Sequence, residues 1–341
     1  MGNQVGKKNQ KSKKPEEEEK EDSSNALIFS ECINGKKKNK ELCGQDAHDI
    51  ITKELGENIK FFGVYDGHGL KGREASMMLK YEIRKRLIND KKKIAKFIRK
   101  EQVEKYFKDA FKSIQKKYEK SNDYELSGSC AICVLIIEYK MYSINLGDSR
   151  AVLGSKKSTK KVALEMSIDH KPSRDDELRR INERGGEVNE KQGGVSRIFK
   201  KNEDGPGLAV SRTVGDIVAH DCGVSSEPEI IEKEIEPDDA YVVIGSDGVW
   251  DLMSSPEVIG FIFDKMETKK EFAAKMLAEE CRNRWEVINL YKQKYMLELA
   301  QSRENNIEAS NNARNKNLDT NQGALDIDDI TVVIHFFNYD Y

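Results

Sequence analysis

Residues 61–69 read Phe-Phe-Gly-Val-Tyr-Asp-Gly-His-Gly, so an apolar run ends in a carboxylate and an imidazole. The apolar residues predict a buried strand, and the glycines at its end allow a tight turn with a close approach to the backbone. A strand that ends in polar side chains fixes the direction in which they point. On its own, the stretch also fits a solvated Asp-Gly turn between two strands.

The pattern of a strand next to an aspartate recurs. Residues 241–248 place Asp247 after an apolar strand, and near the C-terminus the order reverses, with Asp328 before the apolar residues 330–337. If this last strand is antiparallel to the other two, these aspartates and Asp66 meet at one edge of a sheet. Carboxylates so close together repel one another. Oxygen-preferring divalent cations, Mg²⁺ or Mn²⁺, would remove that repulsion.

A fourth aspartate, Asp148, follows the alternating residues 141–146, which predict a half-buried strand. With this motif the chain resembles the metal-dependent Ser/Thr protein phosphatases of the 2C type. The resemblance rests on nine segments in the family's order, since no single motif is specific enough. The matching segments are residues 45–48, 64–69, 127–129, 146–151, 169–172, 207–212 with 215–216, 226–229, 245–251 and 328–331.

The order of predicted elements indicates an α+β fold. Residues 72–120 predict two amphipathic helices, residues 255–266 and 270–299 predict two more, and strands lie before, between and after them. This order excludes a simple βαβ alternation. The resemblance implies the detail, which is two antiparallel β-sheets packed face to face and flanked by pairs of α-helices in an α-β-β-α sandwich.

Composition divides the chain into an arm and one domain. Residues 1–25 are rich in Lys and Glu with almost nothing apolar, and they predict a disordered N-terminal arm. Residues 26–341 then form the 2C-type catalytic domain. Within that domain we expect a flap at about residues 173–207 and a loop insertion at about residues 302–324.

The resemblance also implies the chemistry of the site. Two or three Mg²⁺ or Mn²⁺ ions would activate a water molecule, which hydrolyses phosphoserine or phosphothreonine in proteins. His68 would be the general acid that protonates the departing oxygen. The implied metal ligands are Asp66, which would bridge two ions, the Gly67 carbonyl, Asp247 and Asp328, with Asp148 and Asp251 joining Asp247 at a weaker third position.

The chain departs from the family pattern at two positions. Gln45 stands where the family often has a Glu ligand, and an amide oxygen can ligate a metal but carries no charge. The neighbouring Asp46 would support the ligands from behind. The family's phosphate-binding Arg is missing, because Glu41 occupies its expected position. Lys40 or Lys38 could replace it as a point charge, without the bidentate geometry of a guanidinium.

These departures favour one alternative, a catalytically weak or dead phosphatase fold that acts as a binding or regulatory protein. Retention of the aspartates and of His68 argues for the enzyme instead. Other phosphatase classes fit poorly. The chain has no Gly-Asn-His motif of the calcineurin type and no His-Cys-x5-Arg motif of the cysteine-dependent type. In a haloacid-dehalogenase phosphatase the nucleophile follows a strand, whereas Asp326 and Asp328 precede one.

Charge and the N-terminal residues bear on partners and location. With 58 basic and 60 acidic residues, the net charge of -2 gives no cationic field for nucleic acid, so we expect phosphorylated proteins as partners and a monomer. The polar N-terminus and the lack of a long apolar run predict a cytoplasmic protein. Gly2 could accept myristate although Gly6 replaces the usual Ser or Thr, and five lysines between residues 7 and 14 could add peripheral membrane contact.

Overall fold

The computed structural model describes residues 28–36, 44–97, 99–157, 159–190, 194–308 and 327–337. The strands are β1 (Ile28–Ile33), β2 (Ala47–Ile51), β3 (Ile59–His68), β4 (Gly128–Ile137), β5 (Lys140–Leu146), β6 (Arg150–Lys157), β7 (Lys160–Glu165), β8 (Gly186–Asn189), β9 (Arg197–Lys200), β10 (Pro206–Leu208), β11 (Val214–Gly215), β12 (Glu229–Glu234), β13 (Asp239–Gly245) and β14 (Ile330–Phe336). The helices are α1 (Gly72–Ile94), α2 (Lys100–Tyr118), α3 (Asp175–Glu183), α4 (Ile217–His220), α5 (Asp247–Trp250), α6 (Ser255–Lys269) and α7 (Ala273–Glu308).

Two large antiparallel sheets form the centre of the fold. One has the strand order β1-β14-β13-β6-β7, and the other has the order β12-β5-β4-β3-β2 with β11 paired to β4. Helices α1 and α2 cover the second sheet, and α6 and α7 cover the first. This arrangement confirms the predicted α-β-β-α sandwich.

Alternation along the strands explains the layers. On β13, Tyr241 and Val243 pack under α6 and α7, whereas Val242 and Ile244 pack between the two sheets. A strand points successive side chains to opposite faces, so a strand that is apolar on both faces is buried between a helix layer and a second sheet. Residues of β4 show the same burial at every position from Gly128 to Ile137.

The predicted helix pairs are present, with one correction at the end of α7. The sequence predicted a loop from about residue 302, but α7 continues to Glu308. This stretch is compatible with a helix, because it contains Glu and Arg, which are good helix formers. The rest of the predicted insertion up to residue 324 lies outside the described residues, as do the predicted arm at residues 1–25, Gly2, Lys38 and Lys40.

The predicted flap region contains a small separate sheet. Helix α3 is followed by the antiparallel order β10-β9-β8, which packs around its own small apolar cluster. Glu177 of α3 is fully buried and accepts hydrogen bonds from the Arg180 and Arg212 guanidinium groups. These contacts lower the pKa of Glu177 to about 2 despite its burial. An ion cluster therefore ties the flap to the segment that leads into β11.

Among the helices that the structure describes, no segment combines the length and the apolar character that crossing a bilayer requires.

We predict that Leu79→Ala in α1 lowers the free energy of unfolding by about 2–5 kcal/mol, because Leu79 has no exposed surface and its truncation leaves a cavity. Leu290→Ala in α7 is the matched control, since 65% of Leu290 is exposed, and should change stability by less than about 0.5 kcal/mol. Urea unfolding followed by circular dichroism measures both. Equal losses in the two variants would contradict the packing of α1 on its sheet.

Candidate active site

One cleft lies where β3 and β13 end, at the junction of the two large sheets. Its walls carry the sequence-predicted residues together with a strip of the flap. The lining residues include Gln45, Asp66, Gly67, His68, Asp148, Asp247 and Asp328 from the sheets and their connecting segments, and Arg197, Pro206, Gly207, Leu208, Ala209 and Val210 from the flap side.

The pleat of β3 sends its functional side chains into this junction. Phe62 and Val64 pack between the sheets, and Asp66 and His68 follow them at the same two-residue period. Gly67 lies between these two side chains. A Cβ atom at Gly67 would lie 2.1 Å from the Gly72 carbonyl oxygen, so only glycine allows the backbone to pass here.

The carboxylates converge across two sheets rather than along the edge of one. Strand β14 is antiparallel to β13, with Val332 opposite Gly245, so the start of β14 lies beside the end of β13 as predicted. Strand β3, however, pairs with β2 and β4 in the other sheet. The expectation of a single sheet edge was therefore wrong, because alternation alone does not say in which sheet a strand lies.

Three carboxylates come close enough to share a cation. Oxygen atoms of Asp66, Asp148 and Asp247 all lie within 4.8 Å of one another. Burial and repulsion by the neighbouring carboxylates raise the pKa of Asp66 and of Asp247 well above the usual range, and Asp328 adds to the repulsion at both. Oxygen donors with this unfavourable charge fit hard divalent cations such as Mg²⁺ or Mn²⁺.

The predicted third metal position contains a lysine. The Lys171 ammonium lies 2.5 Å from Oδ2 of Asp148. Burial lowers the pKa of Lys171, but the carboxylates of Asp148, Asp251 and Asp247 outweigh burial and raise this pKa above its ordinary value. Burial raises the pKa of Asp251, and the charge of Lys171 opposes that rise. Asp251 lies one turn of α5 beyond Asp247 and is not among the residues that line the cleft. Sequence reasoning did not identify Lys171, although it lies in the matching segment 169–172.

Gln45 is held by the turn that follows β3. Its amide nitrogen donates to the Gly69 carbonyl oxygen at 2.6 Å, and the residue is 2% exposed. Asp329 holds the same segment from the other side by accepting from the backbone N–H groups of Gly44 and Gln45 at 2.9 and 2.7 Å. Burial and the charge of Asp329 raise the pKa of Asp46 to about 7. Asp46 is not among the residues that line the cleft, so its role behind the ligands stays a prediction, and Asp329 is a supporting residue for which the sequence pattern predicted no role.

Two further residues of the cleft were missed. Asp216 places Oδ2 2.6 Å from Nε2 of His68. Arg197 of β9 is the only Lys or Arg side chain among the described residues that line the cleft, and it donates to the Gly207 carbonyl oxygen at 2.7 Å. A cation was predicted before Asp46 because the family has an Arg there. Arg197 was not predicted, because no local sequence pattern distinguishes it from other arginines.

A fold of two packed sheets that brings carboxylates and a histidine into one cleft defines a class, the metal-dependent hydrolases. The family model described as protein phosphatase 2C matches residues 27–322. The chain is 33% identical over 240 residues to probable protein phosphatase 2C 35 of Arabidopsis thaliana, covering 64% of this chain and 67% of that protein. It is 31% identical over 276 residues to a probable protein phosphatase 2C of Caenorhabditis elegans, covering 76% and 71%.

The chain therefore belongs to the protein phosphatase 2C family and is a protein serine/threonine phosphatase. A solved serine-threonine phosphatase 2C from Toxoplasma gondii has the same fold, with a TM-score of 0.67 at 20% identity, covering 91% of this chain and 94% of that one. Asp328 and β14 follow the matched residues, and it is the antiparallel pairing of β14 with β13 that brings Asp328 to the site.

We predict that Asp66→Asn and Asp247→Asn each abolish Mn²⁺-dependent turnover and the rise in melting temperature that Mn²⁺ produces in the wild type. Without metal, both variants should be at least as stable as the wild type, because the substitution removes a charge from a cluster of mutually repelling carboxylates. Differential scanning fluorimetry with and without Mn²⁺ measures this.

Asp264→Asn is the control for these variants, since its carboxylate is exposed and pairs with Lys161 at the surface. A normal Mn²⁺ shift in Asp247→Asn would show that the cluster does not bind the cation.

Proposed function

We propose that this phosphatase hydrolyses phosphoserine and phosphothreonine in proteins with two Mg²⁺ or Mn²⁺ ions and with His68 as the general acid. Asp66, the Gly67 carbonyl, Asp247 and Asp328 would hold the two ions. Asp148, Asp251 and Asp247 would hold a third, and Gln45 could contribute its amide oxygen. The observation that carries the proposal is the gathering of Asp66, Asp148 and Asp247 within 4.8 Å in the cleft that His68 also lines.

The bound cations would lower the pKa of a water molecule and neutralise the phosphoryl oxygens. The chain's own residues supply the rest. His68 would give one proton to the serine or threonine oxygen as its bond to phosphorus breaks, and water supplies the oxygen that phosphorus gains. An alkoxide is a poor leaving group, so this proton lowers the barrier for an alkyl phosphate.

Arg197 gives the cleft a positive charge on the flap side. Arg197 lines the same cleft as the carboxylates, where its guanidinium could attract the phosphoryl group or an acidic side chain of the substrate. This position offers a guanidinium in place of the family Arg that is missing near Asp46. Lys40 remains the other candidate for that function and lies outside the described residues.

The alternative of a catalytically weak or dead fold is not favoured. Such a protein would have no reason to keep mutually repelling aspartates that raise one another's pKa values, because uncompensated carboxylates destabilise the native state. Gln45 and the missing family Arg support the alternative, but the Gln45 amide nitrogen holds the turn after β3 and Arg197 supplies a guanidinium at the cleft.

We predict that His68→Ala lowers kcat for a phosphothreonine peptide by about 10²–10⁴-fold and harms hydrolysis of p-nitrophenyl phosphate far less, because nitrophenolate leaves without a proton. Steady-state kinetics with both substrates at saturating Mn²⁺ test this. His48→Ala is the control, since the His48 ring contacts Ser30 and does not line the cleft. Equal losses on both substrates would exclude His68 as the acid.

We further propose that the protein is cytoplasmic and binds the cytoplasmic face of a membrane reversibly through its N-terminal arm. Myristate on Gly2 would bind a membrane only marginally, and the lysines between residues 7 and 14 would add roughly 1 kcal/mol each near an anionic leaflet. The adjoining Glu16 to Glu19 would weaken this attraction.

We predict that Gly2→Ala removes an acyl mass from the protein expressed in eukaryotic cells and moves it from the membrane to the soluble fraction, while kcat is unchanged. Intact-mass spectrometry and fractionation at low and high salt measure both effects. A wild type without the acyl mass, or an unchanged distribution of the variant, would contradict the anchor.

A further inference from the structure

A buried carboxylate faces His68 from a separate part of the chain. The side chain of Asp216 is 5% exposed, that of His68 is 28% exposed, and 2.6 Å separates Oδ2 from Nε2. A carboxylate that is ionised can only accept a hydrogen bond, and Nε2 is then the donor in this contact. The contact therefore sets the orientation of the ring and the nitrogen that is protonated.

Strand register brings the two residues together across Gly128. His68 of β3 pairs with Gly128 on one side of β4, and Gly215 of β11 pairs with the same glycine on the other side. A Cβ atom at Gly128 would lie 2.1 Å from Oδ2 of Asp216. The absence of a side chain at Gly128 is thus what leaves room for the carboxylate beside the ring.

The backbone around Asp216 is fixed in an unusual conformation. Asp216 has φ 43° and ψ 48°, in the left-handed region that non-glycine residues seldom adopt. Its N–H donates to the Ser127 carbonyl oxygen at 2.9 Å. The buried amide of Gln115 in α2 binds both the N–H and the carbonyl of Gly215, at 2.8 and 3.3 Å. Backbone strain of this kind persists only where surrounding contacts hold the residue in place, as these hydrogen bonds do for Asp216. Such strained residues are concentrated at functional sites.

A direct role of Asp216 in holding a cation fits the geometry less well. The carboxylates that approach one another within 4.8 Å are those of Asp66, Asp148 and Asp247, and Asp216 is not among them. Its Oδ2 is instead in contact with His68. The residue lines the same cleft but faces the imidazole.

We propose that Asp216 is the positioning residue of His68: it would hold the imidazole through Nε2 and so orient the ring for the Nδ1 proton to pass to the leaving oxygen. This inference rests on the proposed role of His68 as general acid. It assigns Gly128 a function as well, since any side chain there would separate the pair.

Asp216→Gly and Asp216→Asn test the proposal, because both residue types tolerate the left-handed conformation and the fold should survive. Each variant should lower kcat for a phosphothreonine peptide by roughly 10- to 100-fold, with KM and p-nitrophenyl phosphate hydrolysis within about twofold of the wild type. The double variant with His68→Ala should be no worse than His68→Ala alone, because both substitutions remove one function. Asp221→Asn, an exposed neighbour at the end of α4, is the matched control.

Gly128→Ala gives a second test, since it leaves both functional groups chemically intact, while its methyl group would collide with Oδ2 of Asp216 and with the Val214 carbonyl oxygen. It should show the same selective loss. The Mn²⁺-induced shift in melting temperature should equal that of the wild type in every variant. Loss of this shift in Asp216→Asn would mean that Asp216 acts through the metal site, and it would overturn the proposal.

The outcomes separate this inference from the proposed function. Suppose that His68→Ala loses activity selectively on the phosphothreonine peptide. If the Asp216 variants then lose no activity, or lose it equally on both substrates, the positioning role alone is overturned. An equal loss on both substrates in His68→Ala overturns the general acid, and the positioning role falls with it.

Discussion

Repulsion among the carboxylates at the sheet junction is the constraint on which the site depends. Burial and the neighbouring carboxylates raise the pKa of Asp66 and of Asp247, so the apo protein holds the three carboxylates together against an unfavourable free energy. Only the rest of the fold can supply the compensating stability. Apolar side chains fill the space between the two sheets and under both helix pairs, and these three layers of contact fix the strand ends that carry the aspartates.

The opposite charges are distributed around this cluster in distinct ways. Lys171, in the connection between β7 and α3, neutralises part of the charge of Asp148, whereas Arg197 lies on the flap side of the cleft. Asp329 accepts hydrogen bonds from the backbone N–H groups of Gly44 and Gln45, and these bonds hold the segment of Gln45 in place. The same residue type thus serves as a metal-ligand candidate or as a structural tie, according to the donors that surround it.

The sequence predicted the layers of the fold and most of the cleft because both depend on local periodicity. Runs of apolar residues on both faces of β3, β4 and β13 require a cover on each side, and an aspartate at the end of such a strand has a fixed direction. Asp216 and Arg197 escaped prediction because their positions depend on the pairing of β11 with β4 and on the fold of the flap. The assignment of β3 and β14 to one sheet failed for a related reason, since strand pairing over long distances leaves no local pattern in the sequence.

The pairing of β1 with β14 joins residues about three hundred positions apart, with Ile28 opposite His335. Synthesis proceeds from the N-terminus, so β1 leaves the ribosome early. Its partner β14 is made only after almost every other element of the fold. The sheet that carries Asp247 lacks its inner strand until then, and Asp328 arrives with that strand. A nascent or prematurely terminated chain therefore contains most of the fold but lacks Asp328 in the wall of the cleft. The topology thereby delays completion of the cleft until translation has passed β14.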